Sequence, residues 1–176
     1  MILQSLFTDP TTSADASIVA ILLGLGILLI FLIPIFIALY LLTAFGQFTM
    51  SKRSNNPELV KYAWFAFVPF LQAYNLGALV EDVVHRPLSG YMKWVLLGGS
   101  VANLLLGTLL PFLPYIFVAF SLYALFFLFK KYSPSAIMLF IVSFITFGIG
   151  AAIAIFVLRK RDPRPEAIVN DTTVQA

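Results

Sequence analysis

The sequence predicts an all-α integral membrane helical bundle, and three observations predict it. Of 176 residues, 61% are hydrophobic and only 11% are charged, where a soluble domain carries about a quarter. The apolar residues fall in long runs free of charge, such as Ala16 to Ser51 and Trp94 to Phe129. The charges gather in short connectors at the ends of those runs, as they do where helices meet lipid headgroups.

Four transmembrane helices and one re-entrant or interfacial segment are expected, with five spans or fewer as alternatives. Ile18 to Phe45 is the first span. It would measure about 42 Å at 1.5 Å per residue, against roughly 30 Å of hydrocarbon, so tilt or a kink at Pro34 is expected. No Lys or Arg precedes it, the basic n-region of a secretory signal is missing, and the run is too long for a signal core; it is expected to stay in the mature protein. The connector Ser51 to Lys61 holds Lys52, Arg53 and Lys61, which favours the cytoplasmic side and puts the N-terminus outside.

Tyr62 to Val80 is apolar but interrupted by Pro69, Gln72 and Asn75. Lipid would leave both amides unsatisfied, so a segment that enters and returns suits them better than a span. Trp94 to Phe129 would make about 54 Å of straight helix, so Pro111-Phe112-Leu113-Pro114 is expected to turn it into a hairpin of two spans. Ser133-Pro134 then caps the next element. Ala136 to Leu158, about 34 Å of uninterrupted apolar sequence, is expected to be one straight final span ending at Arg159-Lys160-Arg161.

Residues 1–161 thus form one transmembrane domain, and 162–176, with two prolines and small polar residues, a flexible tail. With four spans, Lys52, Arg53, Lys61, Arg86, Lys93, Lys130 and Lys131 lie inside, seven of eleven basic residues. Counting Tyr62 to Val80 as a fifth span also leaves seven inside, so the positive-inside rule does not choose.

Composition narrows the function. The net charge of +3 sits at span ends, which suits anionic headgroups and argues against nucleic acid. There is no Cys, so disulfides, thiol nucleophiles and Cys-ligated metals are excluded. None of the expected spans holds an ionisable residue, which removes the usual basis of ion-coupled transport.

Gly99, Asn103 and Gly107 recur every fourth residue with Ser100 beside them, forming a helix-contact face where small residues admit a close neighbour and Asn can bond across. Ala20 with Gly24, Gly148 with Ala152, and Gly150 with Ala154 share that spacing. The intramembrane polar residues are Gln72 and Asn75. Glu81, Asp82, His85 and Arg86 form the dense polar cluster; on a helix, Glu81 with His85 and Asp82 with Arg86 would each share a face. One His makes a poor zinc site, and no nucleophile motif accompanies it. No catalytic, cofactor-binding or metal-ligating residue is therefore expected, and no cofactor.

Trp64-Phe65-Ala66-Phe67-Val68-Pro69-Phe70 followed by Tyr74-Asn75-Leu76-Gly77 resembles a segment of small bacterial multipass membrane proteins of unknown function, across about a tenth of the chain. It differs in having Gln72-Ala73 where an Asn nearer the proline would fit. The resemblance implies a multi-pass protein of the bacterial inner or plasma membrane and carries no catalytic residue.

The function expected is a non-enzymatic accessory or scaffold protein in contact with the lipid bilayer, associating with another membrane protein or with itself through small-residue helix faces. One alternative is a homo-oligomeric pore, channel or holin-like protein lined by Gln72, Asn75, Ser100 and Asn103. The other is a membrane enzyme acting on lipid headgroups through Glu81, Asp82 and His85.

Overall fold

A computed structural model describes residues 10–85 and 87–165, with side chains from residue 17 onward. Among the described residues every regular element is helical. Two helical stretches, Ser17–Lys52 and Leu113–Tyr132, are long and apolar enough to cross a membrane. The chain divides into two compact units between Ala38 and Leu39.

The first unit holds the opening part of helix α1 (Pro10–Lys52), with Pro10 in the first turn, where its missing N–H costs no bond. Its surface is apolar all round: Ile21, Ile30 and Phe31 are each more than two-thirds exposed. Space is open where a Cβ would stand at Gly24 and Gly26. The helix runs on through Pro34.

The second unit opens with the rest of α1, where Ala44, Gln47, Met50 and Ser51 are buried along one face. Asn56 then caps α2 (Pro57–Lys61) by accepting the Glu58 N–H at 2.9 Å, with Pro57 in the first helical turn. A 3₁₀ turn (Ala63–Phe67) leads the chain back along α1. Tyr40 Oη donates to the Phe67 carbonyl at 2.6 Å, and the Phe67 ring packs on Phe45 and Phe48. Val68 is extended, as a residue before proline prefers, and α3 (Pro69–Val80) starts. On its way up α3 meets α1 again, Ser51 Oγ donating to Asn75 Oδ1 at 2.9 Å. Tyr62 to Val80 thus starts and finishes at one end of the unit.

Two helical hairpins complete it. In the first, α4 (Met92–Leu106) and α5 (Leu113–Tyr132) are joined by residues 107–112. The turn begins ahead of the prolines and takes in Pro111: α4 stops at Leu106, and Pro114 sits in the first turn of α5. Gly77 sets the approach of α3 to α4, because a Cβ there would lie 2.6 Å from Lys93 Cα and 2.7 Å from the Met92 carbonyl oxygen. The glycine that closes the resemblance segment therefore has a steric reason.

The second hairpin corrects an expectation. Ala136 to Leu158 is not one straight helix but two antiparallel ten-residue helices, α6 (Ala136–Ile145) and α7 (Ile149–Leu158). Phe147 and Gly148 have φ of 50° and 90°, left-handed values that end a helix. The Gly148 N–H bonds the Ser143 carbonyl at 2.9 Å and the Phe147 N–H the Phe144 carbonyl at 3.2 Å, the paired bonds of a Schellman stop. Thr146 Oγ1 accepts the Gly150 N–H at 2.8 Å and donates to the Val142 carbonyl at 2.7 Å. Gly150 is required too, since a Cβ there would meet Thr146 Oγ1 at 2.7 Å and Ser143 Cα at 3.2 Å.

The core lies toward one end. Met50, Leu79, Val80, Met92, Leu96, Leu128, Phe129 and Leu158, all nearly inaccessible, come from the stretches nearest the charged connectors. The opposite hairpin tips are apolar yet exposed, Leu109 by 74% and Phe147 by 98%.

Candidate functional site

The charged connectors converge at the end of the second unit beneath which the core sits. Lys131, the penultimate residue of α5, has a side chain only 5% exposed. Its Nζ donates to the Leu79 carbonyl at 2.7 Å and to the two oxygens of Asp82 at 2.7 and 2.8 Å, using all three of its N–H bonds. The Leu79 carbonyl is one that the end of α3 leaves without a helical donor, and a cation suits the negative pole there.

Lys93 makes the second junction, 3.1 Å from Glu58 and 3.4 Å from Glu81. These carboxylates stand before and after the returning segment, so one ammonium ties its two feet together. Glu58 also accepts from Tyr74 Oη at 3.0 Å, and the bonds from Lys93 and Tyr74 hold its carboxyl below its ordinary value. Burial pushes the Glu81 carboxyl up despite Lys93, and its Oε1 has no protein partner. Arg53 forms the third junction, donating to the Lys160 carbonyl at 2.6 Å and to Asp162 at 2.9 Å. A polar cleft of about 730 Å³ runs between these pairs, lined by Arg53, Asn56, Glu81, Asp82, Lys131 and Asp162 among others.

Several expected partnerships are replaced. Glu81 and His85 do not share a helix face, because α3 ends at Val80 and the chain continues in turns. Glu81 instead faces Lys93, and Asp82 faces Lys131; His85 is exposed, its ring edge-on to Phe127. Arg86 lies outside the described residues. The segment expected to be a flexible tail is tied where it begins, through Asp162 and through the Arg164 N–H on the Lys131 carbonyl at 2.8 Å; residues 166–176 lie outside the described residues.

The residues of the expected contact face point inward. A Cβ on Gly99 would stand 3.0 Å from the Phe117 ring of α5, and buried Ser100 donates to the Leu97 carbonyl at 2.8 Å and the Phe70 carbonyl at 3.4 Å. Asn103 Oδ1 and Gln72 Nε2 are shielded without protein partners, and Gly107 starts the α4–α5 turn beside Asn103. Asn75 is 1% exposed.

Nothing in the sequence near Lys131, Lys93 or Arg53 marks them as clamps. Their partners lie 49, 35 and 109 residues away along the chain, beyond the reach of helical spacing. Among the described residues no group of three His, Cys, Asp or Glu is placed to hold a metal. The arrangement fastens hairpin feet to each other. No protein-family model matches the chain, and no curated protein or solved structure does either.

Proposed function

We propose that the protein is a non-enzymatic, multi-pass accessory or scaffold protein of a cell membrane, of the bacterial inner-membrane kind that the resemblance implies, and that the opening part of α1 is its association element. One observation carries the reading: from Ile18 to Ala38 this helix is uncharged and exposed on every side, and the Ala20–Gly24 face is open. In the second unit the helix-face glycines Gly46, Gly77 and Gly99 are met from within the chain, by Ile155, α4 and Phe117, while Gly98 stands open. A small-residue face left open in an apolar helix is what a partner helix packs against.

The membrane path proposed has three crossings rather than four: α1, α4 and α5 cross, while Tyr62 to Val80 and the α6–α7 hairpin enter and return. Charge supports it. The described Lys and Arg residues all lie in the connectors or in the helix turns next to them, and none occurs before Lys52, so the C-terminus joins them inside. Exposed Trp64, Tyr91 and Trp94 stand beside that end, as aromatic rings do at headgroup depth. The α6–α7 tip supports it as well, because the backbone groups at the turn are met by the hairpin and Phe147 would be costly to hold in water.

A photo-crosslinking amino acid at position 23 of the full chain, expressed in a bacterial membrane, tests the association. A discrete adduct, with a second protein or with a second copy, is the expected outcome. No adduct at position 23, 27 or 30 would sink the reading.

A further inference from the structure

We propose that α6 is the seat of a bound anionic phospholipid, with its phosphate at the Ser133-Pro134-Ser135 link and one acyl chain in each of two grooves flanking the helix. One groove, of about 610 Å³, runs between α6 and α7 along Leu139, Val142, Ile153 and Val157. The other, of about 580 Å³, runs between α5 and α6 along Phe126, Ile137, Met138 and Ile141. Their walls are apolar and they share one mouth, since Ser133, Pro134 and Ser135 line both.

The chemistry of that mouth selects the occupant. Arg161 stands at the first groove and Lys130 at the second, and among the described residues no acidic one lines either. In the neighbouring polar cleft, by contrast, Arg53 and Lys131 are matched by Asp162 and Asp82. Ser135 caps α6 without a side-chain hydrogen bond to it, so first-turn N–H groups are left for an anion at the positive pole of a ten-residue helix. Two apolar channels leaving one basic mouth match two chains leaving one phosphate. A partner helix would fill one groove and leave Lys130 and Arg161 without a counter-charge.

The inference rests on the membrane reading, and its test keeps the two apart. Carbonate-washed membranes report whether the full chain is integral; its release there would overturn the membrane reading and this inference with it. The purified integral protein is then mixed with equal amounts of dioleoylphosphatidylglycerol and dioleoylphosphatidylcholine and examined by native mass spectrometry. A preference of about tenfold for the anionic lipid, with one molecule retained, is expected from two basic residues at a membrane surface. Lys130→Gln with Arg161→Gln should abolish the preference, Ile153→Trp should reduce retention of both lipids, and Lys61→Gln should change neither. Equal retention of the two lipids, or an unchanged preference in the double variant at wild-type elution volume and helicity, would overturn the site while leaving the membrane reading intact.

Discussion

Ile18 to Ala38 and Ala136 to Leu158 are alike as strings: both are uncharged, rich in Ile, Leu and Phe, and each contains a Gly-x-Gly, Gly24-Leu25-Gly26 in one and Gly148-Ile149-Gly150 in the other. The first is continuous helix, the second a tight hairpin. Glycine alone does not decide the difference, for Gly24 and Gly26 sit in helix with open space around them. What the second string adds is Thr146, whose hydroxyl replaces a lost backbone partner, and a facing helix that needs Gly150 to approach. Apolar content selects the solvent a segment prefers; the satisfaction of backbone groups selects its path through that solvent.

The largest effect is expected at the foot of the hairpin, a tether the α1 string lacks. Asp82→Ala leaves the buried Lys131 ammonium with one carbonyl; Asp82 itself is partly exposed, so water takes up some of the loss, and leaving the ammonium short of acceptors costs about 2 kcal/mol. Its thermal midpoint in detergent should fall well below that of Asp162→Ala, whose pair with Arg53 is exposed. Equal midpoints would mean that Lys131 finds water and that the clamp is dispensable.

A sharper test makes the strings alike. Thr146→Leu, Phe147→Leu, Gly148→Leu and Gly150→Leu together remove the stop, the left-handed glycine and the close approach. A C-terminal topology reporter should then move from the side of the Arg53 connector to the opposite side. Gly148→Val alone should keep the topology and cost about 1 kcal/mol through its positive φ. A reporter that stays inside in the quadruple variant would show that the polar end, and not the turn, holds the hairpin shut.

The junction at Lys93 gives a smaller, pH-dependent effect. Glu58 has a lowered carboxyl pKa, so the stability it contributes is present above the ordinary carboxylate value and is lost as pH falls through the lowered one. Glu81 has a raised one, so its contribution is complete below the ordinary value and is lost as pH rises through the raised one. In Glu58→Gln, acidification through that window should raise the midpoint; in Glu81→Gln it should lower it. Parallel slopes in the two variants would refute the opposite placement of these carboxyls. Because Glu58 is half exposed, solvent screening should limit its effect to under about 1 kcal/mol.

The smallest effect on stability belongs to the α1 string. Gly24→Leu meets no neighbour in the described structure and should change the midpoint by less than about 0.5 kcal/mol, while weakening crosslinking at position 23. A fall in stability without a loss of crosslinking would mean that Gly24 serves the fold and not a partner.

Helix as the sole secondary structure among the described residues and two stretches suited to lipid follow from composition, and a break in the run beside Pro111 follows from the proline positions. These are properties of single segments and of the solvent they match. The pairing of Lys131 with Asp82, of Lys93 with Glu58 and Glu81, and of Arg53 with Asp162 was decided only when hairpins brought residues tens of positions apart to one end. Charge seen along the chain shows no partner at that range. The folding of Ala136 to Leu158 on itself was not visible: along the chain Gly148 and Gly150 fit a straight span as small helix-face positions, because a helix-breaking glycine and a tolerated one look the same until a second helix stands opposite to be packed.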